Sequence, residues 1–556
     1  MALSSDKEKF VILVVMDGWG IAPPGPGNAI SLARTPNFSR FWSAYPHSKL
    51  RASGEAVGLP RGEVGNTETG HINLGAGRIV YQDLARINMS IADGSFYDNE
   101  VLNRACNHAI NNNSSLHLLG LLGAGGVHSS IEHLFSLIHF AKTRGVRSLF
   151  IHAFTDGRDS PPNASLTYIS QLRQVLEREQ VGELASIMGR YWAMDRDQRW
   201  DRTARAYFAL TQGKGNAARS AEEAIKASYE KSISDEFIEP TLIAESGKPK
   251  GLVKSGDAVI FFNFRIDRPR QLTFAFVAED IRGAGELGFD PYAVKYEHKH
   301  EPGTKAVPAF NRGRKLENLF FVTMTEYSKP LVEAGVVVAF PPENVKMTLG
   351  RVISLHNLRQ LRAAESEKER FVTYYFSGQS ERAEPGEDRL IIPSPMVSTY
   401  DEKPEMSSLE LCDAVYQKLV NNFIYSFVLV NFANADMVAH TGNIEATIKA
   451  VETVDACIGK LSRFVMAFGG TMIITADHGN AEEMINAQTG GIDTEHSNFP
   501  VPFIAVSKKL VGHPQMLPYG NLADVAPTIL TLMGISPATN MTGRNLLDAI
   551  MRSRRR

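Results

Sequence analysis

Short apolar runs that end at a polar residue recur along most of this chain, and they constrain its fold more than any other feature. Helical patterns separate these runs, which include Val11–Val15, Leu149–Ala153, Ala258–Asn263, Ser426–Asn431 and Thr471–Thr475. Runs that are apolar throughout are typical of parallel strands buried on both faces, with helices as crossovers. The sequence therefore predicts an α/β fold built on parallel sheets.

Polar residues follow several of the predicted strands. Asp17, Asp156, Asn263 and Asp477 all lie at or just beyond the end of such a run. Ligands of open α/β sheets bind at the carboxyl ends of the strands. We therefore look for functional side chains at these positions.

The length of the chain, 556 residues, exceeds what one ordinary core contains, so we expect two or more domains. Candidate metal ligands lie near both ends of the chain, and an arginine-rich block lies in the middle. If the two ends meet in space, the middle is an inserted domain. We predict a discontinuous domain of residues 1–81 and 340–556, an inserted domain of residues 82–330, and linkers near 78–84 and 326–342.

Composition excludes several classes of function. The formal net charge is −2, with 59 basic and 61 acidic residues, which argues against nucleic acid or an anionic membrane as the main partner. Three widely spaced cysteines, Cys106, Cys412 and Cys457, fit neither a disulfide framework nor a zinc cluster. The apolar run Phe10–Met16 is too short for a signal peptide or a membrane span. We expect a cytoplasmic protein with reduced, buried thiols.

Three clusters of carboxylates and imidazoles are candidate metal sites. Their members are Asp17, Asp436, His440, Asp477, His478 and His496. Asp436 and His440 are four residues apart, a spacing that places both side chains on one face of a helical turn. Mixed Asp and His sets suit Zn or Mn ions, and carboxylates around two ions are typical of phosphoryl-transfer sites.

Each cluster also has a purely structural interpretation. Asp17 with Gly18 could form a turn or cap a helix. Asp436 and His440 could form a simple surface ion pair. The recurrence of such groups at successive strand ends favours metal ligation.

Thr67 is the candidate nucleophile. It lies in the segment Gly65–His71, where a transition from loop to helix would leave backbone N–H groups free for a phosphate. A metal-bound hydroxyl loses its proton more easily and can attack phosphorus. Alternatively, Thr67 is an ordinary helix N-cap without a chemical role, and only the metal clusters favour the nucleophile.

Motifs over nearly the whole chain resemble those of the cofactor-independent phosphoglycerate mutases, a family within the alkaline phosphatase superfamily. The matching stretches, in the order that the family has them, are Val15–Gly20, Gly65–Arg78, Gly125–Ser129, Asp156–Asp159, Gly189–Tyr191, Asp195–Arg196, Asn263–Arg265, Arg268, Glu367–Lys368, Pro393–Pro395, Asp436–Gly442 and Ala476–Glu482.

The resemblance implies an alkaline-phosphatase-like doubly wound sheet with a second α/β domain inserted into it. It also implies an isomerase of glycolysis and gluconeogenesis that interconverts 3-phosphoglycerate and 2-phosphoglycerate without a bisphosphoglycerate cofactor. The implied cofactors are two divalent metal ions, for which we expect Mn²⁺, although Co, Zn and Mg also suit such ligands. The implied partner is the small molecule phosphoglycerate, and the implied oligomeric state is a monomer.

The resemblance also implies a role for each matching residue. One metal ion would be held by Asp436, His440 and His496, and the other by Asp17, Asp477, His478 and Thr67. The residues that match the substrate-binding set are His128, Arg158, Asp159, Arg190, Arg196, Arg265, Arg268 and Lys368.

Two members of that set match residues with a further role. Asp159 matches the acid/base that serves the glycerate hydroxyls, and Lys368 matches a lysine that stabilises the phosphoryl group. The arginines suit a substrate with a carboxylate and a phosphate, which a guanidinium grips with forked donors. Alternatively, Arg190 and Arg196 could form structural salt bridges with the nearby acids Asp195, Asp197 and Asp201.

Three positions depart from the family's pattern. Thr67 stands where the family normally has serine. Threonine keeps the hydroxyl of serine and adds a methyl group. Ser130 stands where the family often has a second histidine after His128. The segment Glu369–Phe371 stands where the family usually has a tyrosine, a small residue or proline, and a histidine. The metal set is complete.

Two other functions are consistent with the same features. The first is a metal-dependent phosphohydrolase or a phosphopentomutase on the same scaffold, which release of free phosphate or activity on pentose phosphates would reveal. The second is a catalytically inactive relative that senses a metabolite or a protein. Lost metal ligands would be its signature, and this chain has them all.

Overall fold

The structure is a computed structural model of the chain, and it describes residues 10–281, 309–343, 345–486 and 489–553. Part of the predicted inserted domain, residues 282–308, lies outside the described residues. The chain forms two compact units. The first contains Met1–Gln82 and Glu343–Arg556, and the second contains Asp83–Pro342. Along the chain, the second unit thus interrupts the first.

Both units are built from strands and helices in alternation. The strands are β1 (Val11–Met16), β2 (His47–Arg51), β3 (Leu116–Leu122), β4 (Leu149–Thr155), β5 (Glu183–Gly189), β6 (Asn216–Ala218), β7 (Thr241–Glu245), β8 (Lys248–Pro249), β9 (Ala258–Phe261), β10 (Phe320–Thr323), β11 (Val337–Val338), β12 (Arg359–Glu365), β13 (Glu387–Ile392), β14 (Tyr425–Phe432), β15 (Thr471–Thr475), β16 (Val501–Val506) and β17 (Gly520–Asn521). Each of the five apolar runs singled out in the sequence forms a strand, although β9 ends two residues early.

Helices connect most of these strands. They are α1 (Ala29–Leu32), α2 (Pro36–Ala44), α3 (Thr67–Ala76), α4 (Asp83–Ala92), α5 (Glu100–Asn111), α6 (Ile131–Thr143), α7 (Ser165–Glu179), α8 (Arg190–Ala193), α9 (Trp200–Gln212), α10 (Ala221–Tyr229), α11 (Arg270–Val277), α12 (Lys329–Glu333), α13 (Leu349–Leu355), α14 (Ser408–Asn421), α15 (Asn434–Ala439), α16 (Ile444–Phe468), α17 (Val525–Leu532) and α18 (Asp548–Ser553). Among the described residues, none of these helices combines the length and the apolar character that crossing a membrane requires.

The sheet of the first unit has the strand order β13-β12-β14-β1-β15-β16-β2-β17. The strands from β13 to β15 are parallel, and β16 runs antiparallel to both β15 and β2. In the centre, Val11 of β1 pairs with Phe427 of β14 and with Thr471 of β15. Every residue of β1 is buried, as expected for a central strand with helices on both faces.

The sheet of the second unit has the strand order β11-β10-β9-β3-β4-β5-β7-β6, with β8 paired to β7. Strands β11 to β5 are parallel, and β7 runs antiparallel to β5. Alternate residues of β3 enter different apolar clusters: Leu118 and Leu122 join one, and Leu119 and Leu121 join another. Because side chains of a strand alternate between faces, this sheet has a core on each side. The predicted α/β class with parallel sheets is confirmed.

A buried chain of hydrogen bonds crosses three strands of the second sheet. His117 Nε2 lies 3.1 Å from the Asp257 carboxylate, and His117 Nδ1 lies 3.0 Å from His152 Nε2. His152 Nδ1 in turn lies 2.8 Å from the hydroxyl of Ser186. Burial lowers the pKa of His152 well below its usual value, and His117 lowers it further. The folded chain therefore keeps His152 neutral.

This network predicts a loss of stability in mild acid. Below pH ~6.5, the unfolded chain binds a proton at His152 that the folded chain excludes, so protonation favours unfolding. We expect this one group to lower the free energy of unfolding by about 1.4 kcal/mol for each pH unit below pH ~6.5. Urea unfolding of the full chain between pH 7.5 and 5.5 measures it. The variant His152→Asn should show a correspondingly shallower slope, and an unchanged slope would contradict the assignment.

Candidate active site

Four neighbouring parallel strands bring their carboxyl ends to one edge of the first sheet. Asp17 follows β1 directly, Asp477 lies two residues after β15, and Asp436 lies in α15 just after β14. Lys368 lies three residues after β12. Because these strands are neighbours in the order β12-β14-β1-β15, the four side chains converge.

Lys368 lies in the centre of this group. Its ammonium donates hydrogen bonds to Asp17 Oδ1 and Asp436 Oδ2, both at 2.8 Å, and to the hydroxyl of Thr67 at 3.2 Å. Burial alone lowers the pKa of Lys368, but the carboxylates of Asp17, Asp436 and Asp477 outweigh it and raise that pKa. The side chain is therefore a buried cation in contact with a hydroxyl.

Thr67 is the first residue of α3, as the sequence predicts, but it is not the N-cap. Asn66 is the cap, and its side chain accepts a hydrogen bond from the backbone N–H of Thr69. The alternative that Thr67 serves only as a cap is therefore wrong. Its hydroxyl lies 2.8 Å from His478 Nε2. The capping by Asn66 thus leaves the Thr67 hydroxyl free to face the buried charged groups.

One set of candidate ligands consists of Asp436, His440 and His496. The distances are 3.2 Å from Asp436 Oδ1 to His440 Nε2, 3.3 Å from Asp436 Oδ1 to His496 Nε2, and 3.1 Å between the two Nε2 atoms. Tetrahedral ligands of an ion such as Zn²⁺ are about 3.3 Å apart. The alternative of an ion pair between Asp436 and His440 is partly correct: the two side chains lie within ion-pair distance and His440 is 38% exposed, but Asp436 is buried, at 2% exposure, and does not lie at the surface.

The second set consists of Asp17, Asp477 and His478, all fully buried. His478 Nε2 lies 3.5 Å from Asp17 Oδ1 and 3.6 Å from Asp477 Oδ2, and ligand atoms of the three residues all fall within 4.8 Å of one another. Within the described residues, Asp477 Oδ1 is buried without a hydrogen-bond partner, and the buried Oδ2 lies 3.2 Å from His71 Nδ1. Buried carboxylates require a compensating charge, so the Asp477 carboxylate fits a bound cation.

The orientation of the imidazoles supports the same conclusion. His440 Nδ1 lies 2.7 Å from the carbonyl oxygen of Thr494, His496 Nδ1 lies 2.8 Å from that of Gly65, and His478 Nδ1 lies 3.3 Å from that of Gly479. Donation of Nδ1–H to a backbone carbonyl is typical of histidines that bind metal through Nε2. All three Nε2 atoms face the carboxylates, so the donor set fits divalent metal ions.

His478, a member of the second set, also lies beside the first. Besides its contacts with the second set, its Nε2 lies 4.0 Å from Asp436 Oδ1, and it groups with Asp436 and His496 as well. Burial alone lowers the pKa of His478, but Asp477 and Asp436 raise it to about 10. The carboxylates thus favour positive charge at the point where the two sets meet.

Asp17 does not cap a helix, but it does form a turn with Gly18, the other structural interpretation of its sequence. In this turn the Trp19 N–H donates to the Met16 carbonyl oxygen at 3.1 Å. The helix that follows begins at Ala29 and is capped by Asn28. Besides Lys368, the Asp17 carboxylate accepts a hydrogen bond from the side-chain amide of Asn431 at 2.7 Å. Both of its oxygens therefore face the centre of the site.

Side chains behind the ligands complete the site, and sequence reasoning did not select them. His71 lies 3.2 Å from Asp477 Oδ2 and 3.1 Å from the amide of Asn431, which in turn holds Asp17. Asn480 donates to Asp436 Oδ1 at 2.9 Å. A signal was present for His71, which lies four residues after Thr67 on the same helix face.

The second unit also presents polar side chains at the carboxyl ends of neighbouring strands. His128 follows β3, Asp159 follows β4 and Arg190 follows β5, while Arg265 and Arg268 follow β9. These strands are adjacent in the order β9-β3-β4-β5. The remaining predicted arginines, Arg158 and Arg196, lie in the loops after β4 and α8.

Arg190 is fully enclosed between two carboxylates. Its Nη1 donates to Asp156 Oδ1 and to Asp159 Oδ2, both at 2.5 Å. Burial raises the pKa of Asp159, but the hydrogen bond and the charge of Arg190 outweigh that effect and lower it. Asp159 is therefore an ionised carboxylate held in a fixed position.

Asp267, which sequence reasoning missed, lies among the predicted substrate-binding residues. Its carboxylate accepts a hydrogen bond from Arg196 at 2.7 Å and lies 3.3 Å from Arg265 Nε and 3.5 Å from His128 Nδ1. Burial and the nearby Arg190 lower the pKa of His128 to about 4. The sequence offered one signal for Asp267, which lies two residues after Arg265.

The structural salt bridges considered for Arg190 and Arg196 exist, but their partners differ from the predicted ones. Arg190 pairs with Asp156 and Asp159, and Arg196 pairs with Asp267. The nearest sequence neighbours were the wrong partners because the acids that the arginines meet come from other strand ends. The Arg190 side chain is 2% exposed, whereas that of Arg196 is 45% exposed.

The other two departures from the family's pattern have simple structural roles here. Ser130 occupies the N-cap position of α6, where its side chain makes no capping hydrogen bond to the described residues. Phe371 begins a π-helical turn, Phe371–Tyr375, and its ring centre lies 5.2 Å from the ammonium of Lys368. An aromatic face at this distance attracts a cation, so Phe371 contributes to holding Lys368 in place.

Comparison with known proteins decides the family. A family model described as the N-terminus of BPG-independent PGAM matches residues 87–329. The 2,3-bisphosphoglycerate-independent phosphoglycerate mutase of Moorella thermoacetica is 48% identical over 537 residues, which cover 97% of this chain and 98% of that protein. The enzyme of the same name from Clostridium beijerinckii is 46% identical over 540 residues, covering 97% and 99%.

The chain belongs to the 2,3-bisphosphoglycerate-independent phosphoglycerate mutases. The family predicted from the sequence motifs is confirmed. Among solved structures, that of Leishmania mexicana phosphoglycerate mutase at low cobalt concentration is 29% identical, covers 98% of each chain and superimposes with a TM-score of 0.59. The fold of this chain is therefore the fold of a phosphoglycerate mutase.

Gly18 lies where the turn after β1 packs closely against Asp436 of α15. Its φ is +71°, and a Cβ atom there would lie 2.7 Å from Asp436 Cα. We expect Gly18→Ala to displace Asp436 and to weaken divalent-ion binding about tenfold or more. Titration calorimetry with Mn²⁺ measures this effect.

Gly469 provides the matched control. Its φ is +76°, but nothing lies within 4 Å of a Cβ atom placed there. Gly469→Ala should show the same backbone strain of about 1–2 kcal/mol without a change in ion affinity. Equal affinities of the two variants would contradict the packing of Gly18 against Asp436.

Proposed function

We propose that this chain interconverts 3-phosphoglycerate and 2-phosphoglycerate through a phosphothreonine at Thr67. The observation that carries the proposal is the position of the Thr67 hydroxyl, which lies 3.2 Å from the Lys368 ammonium and 2.8 Å from His478 Nε2. A hydroxyl beside a buried cation and a set of metal-ligand candidates suits phosphoryl transfer. The relatives' names include phosphoglycerate and exclude a bisphosphoglycerate cofactor.

The proposed cofactors are two Mn²⁺ ions. Asp436, His440 and His496 would hold one, and Asp17, Asp477, His478 and Thr67 would hold the other. When bound, such ions neutralise charge on a phosphoryl group and lower the pKa of a coordinated hydroxyl. The short distances within each set and the Nδ1 hydrogen bonds of the three histidines support this assignment.

In the first half of the proposed cycle, Thr67 Oγ1 gives up its proton and attacks phosphorus, and the glycerate oxygen that leaves takes up a proton, so the number of protons is unchanged. A bond forms between Oγ1 and phosphorus while the bond from phosphorus to the glycerate oxygen breaks. Lys368 stays ionised, because Asp17 and Asp436 raise its pKa, and its charge offsets the negative charge of the transferring group. Phosphothreonine and glycerate result.

In the second half, the other hydroxyl of glycerate attacks the phosphothreonine: a bond forms between its oxygen and phosphorus, and the bond from phosphorus to Thr67 Oγ1 breaks. Asp159 accepts the proton of the attacking hydroxyl and releases it again, while Oγ1 takes up a proton as it leaves, so both Thr67 and the ionised Asp159 are restored. Arg190 holds this carboxylate in place at 2.5 Å. Because burial and Arg190 keep His128 neutral, with a pKa of about 4, His128 can donate or accept a hydrogen bond without adding charge.

The arginines of the second unit would bind the two anionic groups of the substrate. Guanidinium groups bind carboxylate and phosphate with paired donors. The side chains of Arg158, Arg196 and Arg265 are 45–55% exposed, so they are accessible to a ligand. The Asp267 carboxylate already pairs with Arg196 and Arg265, so a substrate anion would compete with it for these guanidinium groups.

The proposal assigns phosphoryl chemistry to the predicted domain of residues 1–81 and 340–556, and glycerate binding to residues 82–330. The metal-ligand candidates at the strand ends of the first sheet and the arginines at those of the second support this division. We also propose a cytoplasmic monomer, which sedimentation velocity of the purified chain tests.

The Thr67→Ala variant tests the nucleophile. It should lower the conversion of 3- to 2-phosphoglycerate by about 10³-fold or more, because the phosphoryl group loses its acceptor. Thr67→Ser keeps the hydroxyl and should stay within about tenfold of the wild-type rate. A coupled enolase assay in the presence of Mn²⁺ measures both. Undiminished turnover in Thr67→Ala would refute the nucleophile, and phosphate release without isomerisation would indicate a hydrolase.

Removal of the metal tests the cofactors. Dialysis against EDTA should abolish the mutase activity, and added Mn²⁺ should restore it, because the buried carboxylates then regain their counter-charge. Elemental analysis of the restored protein should give two equivalents per chain. One equivalent at full activity, or full activity in EDTA, would contradict the two-ion proposal.

A further inference from the structure

One buried carboxylate, that of Glu482, joins three separate segments of the proposed metal centre. Glu482 is 3% exposed and lies four residues after His478. It takes no part in the proposed reaction and is absent from both ligand sets. Each of its hydrogen-bond partners nevertheless lies within three residues of a candidate metal ligand.

Each oxygen of this carboxylate has its own partners. Oε2 accepts hydrogen bonds from the backbone N–H groups of Gly20 and Asn480, both at 2.9 Å. Oε1 accepts one from the hydroxyl of Ser497. In the described residues, Glu482 forms no ion pair with a lysine or an arginine. Three donors from separate parts of the chain thus offset part of the cost of burying this carboxylate.

The three partners belong to the segments that carry metal ligands. Gly20 lies three residues after Asp17, Asn480 lies two residues after His478, and Ser497 directly follows His496. Asp17 and His478 belong to one ligand set, and His496 belongs to the other. Glu482 therefore links the backbones on which both sets depend.

The neighbouring glycines show that the chain makes room for this carboxylate. A Cβ atom at Gly20 would overlap the carboxyl group of Glu482, and one at Gly479 would overlap both Glu482 Oε1 and the Ser497 hydroxyl. Neither glycine has a positive φ, so close approach rather than backbone conformation explains them. Gly20, three residues after Asp17, and Gly479, directly after His478, therefore leave room for the Glu482 carboxylate.

We propose that Glu482 is a positioning residue that sets the spacing of Asp17, His478 and His496 before the metal ions bind. The inference rests on the proposed metal centre and deepens it. Without Glu482, the N–H groups of Gly20 and Asn480 and the hydroxyl of Ser497 lose their common acceptor, and the three ligand segments separate. Residues behind the ligands typically contribute 10–100-fold to metal affinity.

The experiment compares Mn²⁺ affinity by titration calorimetry of the EDTA-treated full chain. Glu482→Ala should weaken Mn²⁺ binding by about 10–100-fold. Glu482→Gln should stay within about threefold, because its amide oxygen still accepts from both backbone N–H groups and its NH₂ can donate to the Ser497 hydroxyl. Glu483→Ala, at the adjacent half-buried acid, should leave the affinity unchanged.

A second pair of variants keeps the test decisive if Glu482→Ala does not fold. Ser497→Ala removes one of the three donors and should weaken Mn²⁺ binding severalfold. Its matched control is Ser507→Ala, because Ser507 is equally buried and its hydroxyl has no hydrogen-bond partner in the part of the chain that the structure describes. Circular dichroism in EDTA establishes that each variant is folded.

Wild-type affinity in a folded Glu482→Ala chain would overturn the positioning role, and so would equal losses in Glu482→Ala and Glu483→Ala. If Glu482→Ala is unfolded, equal affinities of Ser497→Ala and Ser507→Ala would overturn it. A role confined to stability predicts lower melting temperatures in EDTA at unchanged Mn²⁺ affinity, which contradicts positioning. Failure of the wild-type chain to bind Mn²⁺ would instead refute the metal centre itself.

Discussion

Three carboxylates buried side by side are the constraint on which the rest of the first unit depends. Asp17, Asp436 and Asp477 have lost their contact with water, and such a concentration of negative charge is stable only with positive charge beside it. Lys368 supplies one charge through two hydrogen bonds of 2.8 Å. The imidazoles face the same point, and divalent ions are the cations that this donor set fits best.

The parallel sheet makes this arrangement possible. Strands β12, β14, β1 and β15 are buried on both faces, so their apolar residues hold the backbone rigidly while the polar residues beyond their ends meet. The second unit repeats the principle with opposite charge. Arginines follow its strands, and the carboxylates of Asp159 and Asp267 hold several of them in place. One architecture thus supports the proposed cation site in one unit and the proposed anion site in the other.

Sequence reasoning predicted the elements well because its signals were local. The strands show as apolar runs, and Asp17 or Asp477 is visible as a polar residue where a run ends. The partners were not predictable, because they depend on which strands become neighbours. Asp267 was missed, and Arg196 was given the wrong acids, since the two meet only through the order β9-β3-β4-β5. Likewise, only the structure shows that Asn66 caps α3 and leaves the Thr67 hydroxyl free.

Threonine in place of the family's usual serine makes Thr67 the residue on which the proposed chemistry depends. The direct measurement is mass spectrometry of the chain quenched in acid during turnover of phosphoglycerate with Mn²⁺. A phosphoryl group on the peptide that contains Thr67, located on Thr67 by fragmentation, is the predicted result. Phosphate on another residue, or an unmodified Thr67 peptide in a chain that turns over rapidly, would contradict the proposed phosphothreonine.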